Sequence, residues 1–395
     1  MNYLLKYILS FCLLTSVAAC TEGINETVES AYQLPVFPEP SYKFSRNGES
    51  SVNVLECEFL KSPIDRIFSE YMNEARMSTQ RDYDEARRIY HEGTFGLKPQ
   101  KEVSTSPVHL NDREKILRDI DNWFEASARI AGLGANIPSY EHRNREAAKG
   151  STGYVGNNIS DSDICYVDEK GIAVAEVYKY AVMGAIYLDK ILNIHLAEEI
   201  LGNNEILIRN DLTQLSPGHN YTELEHHWDL AYGYYSFWKT LAQADGLPAL
   251  KDCHLRIFRS FVKGRTFMET SRYDEMRLQA DTIRQELSRV VAARAMNLLV
   301  GPNTFANLKE NPRRAFRLLS QAYGLIYAAQ FARNTQGKPF ITNEETGNLL
   351  HELEKNDGLW DKERLLGREQ TEGALYNLAT RIGKIFGVSL EDIKK

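Results

Sequence analysis

Ser216-Pro-Gly-His-Asn-Tyr-Thr-Glu-Leu-Glu-His-His-Trp-Asp-Leu-Ala-Tyr-Gly-Tyr-Tyr235 is the stretch whose reading decides the fold. Ser216-Pro217-Gly218 reads as a turn, because proline presets φ and glycine accepts left-handed φ. A helix is expected from Asn220 or Thr222 to about Ala244. Asn220 with Glu223, and Thr222 with Glu225, each fit a capping box, in which both side chains satisfy orphan backbone donors. Positions three and four apart are helix neighbours, so Thr222, Glu225, His226 and Asp229 share a face and Glu223 reaches His227 on the flank. His226 and His227 stand about 100° apart around the axis, so they cannot both point at one centre.

That face offers candidate metal ligands: Glu225, His226 and Asp229, with Glu223 and His227 beside them. Imidazole and carboxylate are the usual ligands for zinc or non-haem iron, and a positive helix N-terminus keeps a nearby imidazole neutral. The plainer reading is that acidic residues stabilise a first turn without any ligand. Tyr221, Trp228, Tyr232 and Tyr235 recur near helical spacing, as a core stripe or as a platform for haem or a glycan. Gly233 permits close helix packing or approach of a ligand. Arg265 suits Asp229 or a bound carboxylate. His-x-x-Glu also occurs at His195/Glu198 and at His351/Glu354, where surface i,i+3 pairing is the usual explanation; His195 is kept as a second candidate.

The chain has 395 residues, 43% of them hydrophobic and 26% charged, with a net charge of −7. It is long enough for a sizeable core, and its net charge argues against nucleic-acid binding, which needs a basic face. Lys6, the apolar run Tyr7 to Val17 and the site Val17-Ala18-Ala19-Cys20 form a targeting segment over residues 1–20. A cysteine in that position resembles a bacterial lipobox, so Cys20 is expected to carry lipid and to hold the protein on a membrane. Residues 21–40 end in Pro35, Pro38 and Pro40 and read as a tether. Cys57, Cys165 and Cys253 remain, with spacing that suits neither a disulfide framework nor a metal motif.

The rest reads as helix. Ser62-Pro63-Ile64-Asp65 looks like a helix start, followed by a helix over Tyr83 to His91. Another opens at Asn111 and Glu114 with Ile116, Leu117, Ile120, Phe124 and Ala128 on one face. Gly132 to Gly171 shows little periodicity apart from a possible helix near Ser139 to Lys149. Val174, Val177, Tyr178, Ala181, Val182, Ala185, Leu188 and Leu192 then form a wide apolar stripe. Further helices are expected over Pro248–Glu269, Tyr273–Val300, Leu308–Asn334, Asn343–Glu354 and Glu372–Phe386. No alternating strand run stands out. The fold class is all-α, antiparallel helical bundles in two units, residues 41–215 and 216–395.

Several separated motifs resemble an uncharacterised family of imelysin-like lipoproteins of Bacteroidetes-type bacteria. These are Tyr42-Lys-Phe-Ser-Arg-Asn-Gly48, Tyr166-Val-Asp168, Gly171-Ile172, Lys179-Tyr-Ala-Val-Met-Gly-Ala185, Tyr221 to Tyr234, and Gly264-Arg265. The resemblance implies an imelysin-related helical fold and a link to iron uptake. The imelysin motif Gly-x-His-x-x-Glu has its nearest equivalent here in His226-x-x-Asp229. The expected function is non-catalytic binding of a metal ion, iron or zinc, or of an iron-containing ligand. The site would be His226, Asp229, Glu225, His227 and Glu223, with Tyr221, Trp228, Arg265 and His195 as ligand contacts. The location would be the outer membrane, facing the periplasm or the cell surface, with an uptake receptor as a possible partner. The alternatives are a metallopeptidase-like hydrolase and a structural or adhesion lipoprotein.

Overall fold

The structure is a computed structural model that describes residues 41–73, 79–93, 96–131, 145–156, 164–244, 246–310, 312–367 and 373–393. The targeting segment with Cys20, the tether over 21–40 and most of the possible helix near Ser139 lie outside the described residues. The principal helices are α1 Leu55–Arg66, α2 Gln80–Glu92, α3 Arg113–Ile130, α4 Val174–Val182, α5 Glu223–Tyr235, α6 Cys253–Met268, α7 Tyr273–Val300, α8 Pro302–Glu310, α9 Pro312–Ala328, α10 Asn343–Glu354 and α11 Ala374–Phe386. The protein is all-α, apart from two short hairpins that periodicity does not show. In one, β1 (Ser45–Arg46) pairs antiparallel with β2 (Glu49–Ser50); in the other, β3 (Gly153–Val155) pairs antiparallel with β4 (Cys165–Val167).

Helix α7 is the axis of the packing. Its 28 residues span about 42 Å at 1.5 Å per residue. From Leu287 onward it is buried nearly all round, through Val290, Val291, Ala292, Ala293, Ala295, Met296, Leu298, Leu299 and Val300. A helix apolar on every side must be enclosed, and α6, α9 and α11 all pack on it. Helix α4 packs on α9 across the boundary expected at residues 215/216, and residues 43–395 form one compact unit.

Two departures from the expected helices carry physical lessons. Pro63 does not begin a helix; it lies inside α1, which starts at Leu55. Cys57, Leu60, Ile64 and Ile67 are buried along one side there, and that packing outweighs proline's preference for a first turn. The segment 174–195 is helical as expected but widens twice into π-helix, at Met183–Leu188 and Ile191–His195. A π segment frees backbone carbonyls for other partners: Ser104 N–H donates to Ala185 O at 2.7 Å. Cys57, Cys165 and Cys253 are buried free thiols.

Glycine sets the spacing of the helices around α5. A Cβ on Gly264 of α6 would stand 2.0 Å from Trp228 Cζ2 of α5, so α6 approaches α5 only because no side chain intervenes. On the other flank a Cβ on Gly233 would stand 2.6 Å from Cys57 Sγ and 3.0 Å from Val54 Cβ. Gly233 therefore serves packing. Gly264→Ala is expected to cost about 1–3 kcal/mol by overpacking, read as a lower urea midpoint. Trp228→Leu is itself destabilising, but in that background the further change Gly264→Ala should cost less than it does in the wild type, because the space the new methyl needs is already empty.

Candidate functional site

Thr222 caps α5, accepting from Glu225 N–H at 3.3 Å while Glu225 Oε2 accepts from Thr222 N–H at 2.8 Å. The cap draws the Glu225 carboxylate back over the helix start, where two arginines meet it. Arg46 binds it bidentately, with Nη2 at 2.7 Å from Oε1 and Nη1 at 3.0 Å from Oε2. Arg265 Nη1 lies 2.7 Å from Glu225 Oε1, and Arg265 Nε donates to Asp229 Oδ1 at 3.3 Å. Arg265 also donates to Ser51 Oγ at 3.2 Å and stands over the Phe44 ring, 4.9 Å from its centroid. Arg265 and Asp229 are 0% exposed and Glu225 2%.

Arg46 is the residue that sequence reasoning missed. It sits on the first hairpin, whose turn residues Asn47 and Gly48 have φ of 54° and 84°. Positive φ at both central positions is the type I′ geometry that Asn-Gly prefers, so the dipeptide was the available signal. Asn220 fixes the hairpin to the site by donating to Arg46 O, Glu49 O and Ser50 O at 3.0, 3.2 and 3.3 Å, while Arg46 Nη1 donates to Asn220 O at 2.8 Å. Burial raises the cost of ionising Glu225, but the hydrogen bonds from Arg46 and the charge of Arg265 outweigh it and hold the carboxyl below its ordinary value.

The five residues expected to share a metal are thus divided. Glu225 and Asp229 face arginines. Glu223 accepts from Arg209 Nη2 at 2.7 Å. His226 stacks on Tyr221, with ring centroids 4.3 Å apart at 10°, and Tyr221 stacks in turn on His219 at 4.7 Å. Two guanidiniums against two buried carboxylates leave no unneutralised negative charge for a cation, so the Glu225–Asp229 pair does not fit a metal. Among the described residues no group of three or more His, Cys, Asp or Glu is arranged to hold one. Trp228 is 0% exposed and donates to Phe261 O at 2.9 Å; it is core and offers no platform.

His227 and His195 form a second arrangement. Their Nδ1 atoms are 2.9 Å apart. His195 closes the second π segment and stacks on Tyr234 of α5, 5.8 Å between centroids at 13°. Tyr234 donates to Glu56 Oε1 at 2.9 Å, and Lys190 Nζ lies 5.7 Å from the Tyr234 ring centroid while pairing with Glu102 at 2.7 Å. Burial holds His195 well below the usual imidazole value, with the charges of His227 and Lys190 adding to it. Burial also lowers His227 and His226, against the opposing charge of Glu56 on both. Both rings of the pair are therefore neutral at neutral pH. One nitrogen donates and the other accepts, and His195 Nε2 is buried without a partner.

A helical unit carrying a buried, arginine-neutralised carboxylate pair beside a neutral histidine pair is the class this geometry defines. The chain belongs to the family described as a domain of unknown function, DUF4856, whose pattern matches residues 39–389. No curated protein and no solved structure matches the chain.

Arg265→Met is expected to destabilise by about 3–5 kcal/mol, because it leaves a buried carboxylate uncompensated. Adding Asp229→Leu should recover much of that loss, and the pair of variants is compared by urea denaturation. The histidines give a separate test by pH. Burial lowers His195 and places His109 at about 3. Below about pH 6.5 the unfolded chain binds protons that these folded histidines refuse, so stability present above that pH is lost as pH falls. Between pH 7.5 and 5.5 the loss should be about 1 kcal/mol for each of the two. Glu225 acts in a lower window, losing its contribution as pH drops through its depressed folded value. A urea midpoint that stays flat from pH 7.5 to 5.5 would contradict the neutral burial of both rings.

Proposed function

We propose that this protein is a lipid-anchored envelope protein that binds a metal ion or a metal-containing ligand without catalysis, and that His195 and His227 are the protein's donors. The observation that carries this reading is the 2.9 Å Nδ1–Nδ1 separation between two neutral imidazoles, His195 buried and His227 half-buried. Two nitrogens each about 2.05 Å from a common metal stand about 2.9 Å apart when they subtend a right angle. That bite suits octahedral or tetragonal ions such as iron, nickel or copper better than tetrahedral zinc. The metal would take the place of the shared proton once the donor ring changes tautomer, its proton moving from Nδ1 to Nε2, so that both Nδ1 atoms offer lone pairs and no imidazolium has to be deprotonated. Two protein donors leave coordination positions for the ligand's own atoms, which supports an iron-containing complex as cargo. The negative charge of Glu56, held by Tyr234, favours a cation there. Anchorage at Cys20, an outer-membrane location, an uptake receptor as partner and kinship with imelysins belong to the same reading and rest on the sequence motifs. Burial of the Glu225, Asp229 and Arg265 cluster supports a structural role for it.

The test is to titrate Fe(II), Ni(II) and Zn(II) into the chelator-treated protein and follow its thermal midpoint and bound metal. Iron or nickel at a hundred times Kd should stabilise the native state by about 2.7 kcal/mol. His227→Gln should abolish the response, and His226→Gln should keep it. An equal response from the wild type and His227→Gln, or none from either, would reject the site.

A further inference from the structure

A cavity of about 610 Å³ opens between the segment Leu192–Leu201, helix α7 and the chain around Arg333. That volume lies within the range of small-molecule sites. Leu192, Ile194, Ile200 and Leu201 give it an apolar wall, and Arg277, Arg284 and Arg333 also line it. His195 does not, so the cavity is separate from the histidine pair.

Arg277 is paired with Asp274 and donates to Leu201 O at 3.1 Å, so the two buried arginines are the ones of interest. Arg333 is 2% exposed, and its hydrogen bonds go to neutral groups: Gln330 O at 3.1 Å, Ala332 O at 2.9 Å and His109 Nε2 at 2.8 Å. Among the described residues no carboxylate stands within ion-pair distance of it; the charge of Asp189 acts on it from farther off, and that carboxylate is itself hydrogen-bonded by Ser106 and Asn193. Arg284 is 6% exposed. It pairs with Asp281 and donates to Leu196 O at 2.9 Å, yet its Nε is buried without any partner. His109, which accepts from Arg333, stands outside the cavity lining. A buried donor without an acceptor is costly, so a lining guanidinium with Nε unbonded has donor capacity to spare. The acids Glu198, Glu199 and Asp281 line the cavity too; Glu198 and Glu199 are exposed and so stand at its solvent side, and Asp281 is the half-buried partner of Arg284.

We infer that this cavity binds a small organic carboxylate with an apolar body, its head on Arg284 and Arg333 and its body along Leu192, Ile194, Ile200 and Leu201. A guanidinium matches a carboxylate fork, and the wall beside it removes apolar surface from water.

The experiment is isothermal titration of the full chain in EDTA with sodium butanoate, hexanoate and octanoate, and with 1-octanol as the uncharged match. EDTA keeps the outcome independent of any metal at His195 and His227. Saturable one-to-one binding that tightens from butanoate to octanoate, with octanol at least tenfold weaker, is the expected result. Arg284→Met should weaken octanoate at least tenfold. Ala197→Trp, which fills the cavity from a half-buried lining position without removing a side-chain hydrogen bond, should abolish binding, and circular dichroism checks that both variants fold. If Arg284→Met does not fold, the Ala197→Trp comparison decides alone. No saturable binding across the series, equal binding of octanol, or undiminished binding by a folded Ala197→Trp would overturn the proposal.

Discussion

Arg265 is the interaction on which the arrangement around α5 depends. One guanidinium, wholly buried, touches Glu225 and Asp229 on α5 and Ser51 beside the first hairpin, and it issues from α6. Removing such a cation from water is expensive, and only complete pairing makes it tolerable. Every element that supplies a partner is therefore held in one geometry. Gly264, the preceding residue, is part of the same solution: it lets Trp228 close against α6 so that Arg265 reaches the first turns of α5. The adjacent glycine and arginine are one device, spacing followed by charge.

The helices were largely legible because their cues are local. Thr222 with Glu225 forms the capping box its spacing announces, and the apolar runs of 174–192 and 273–300 supply buried faces. The hairpins escaped because two or three residues per strand carry no usable alternation. Pro63 misled because its first-turn preference is weak beside the burial of Cys57, Leu60 and Ile64. The π segments have no sequence signal of their own, since residues that favour them also favour α-helix.

The candidate site was legible in composition and not in partnership. Sequence spacing put Glu225, His226 and Asp229 on one helical face. It was silent on what comes from elsewhere in the chain to meet that face. Arg46 arrives from 179 residues away, and its arrival turns a prospective ligand into half of an ion pair. His195 and His227 are 32 residues apart, and their meeting depends on the trace of a widened helix. Helical spacing relates neighbours along one axis; contacts between axes are set by packing, which a single sequence does not display.

The two π segments between Met183 and His195 have a consequence for how this chain tolerates change in length. Each holds one residue more per turn than an α-helix needs. Deleting a single residue inside the first would let that turn relax to ordinary α geometry while the helix beyond it kept its direction, because the wide turn already absorbs the extra residue. A deletion in the regular α stretch before it, Val174–Val182, has no such slack and would rotate everything beyond by about 100°. His195 would then swing off Tyr234 and away from His227. The place of a one-residue gap along this helix, and not only its occurrence, decides whether an imidazole still stands beside an imidazole.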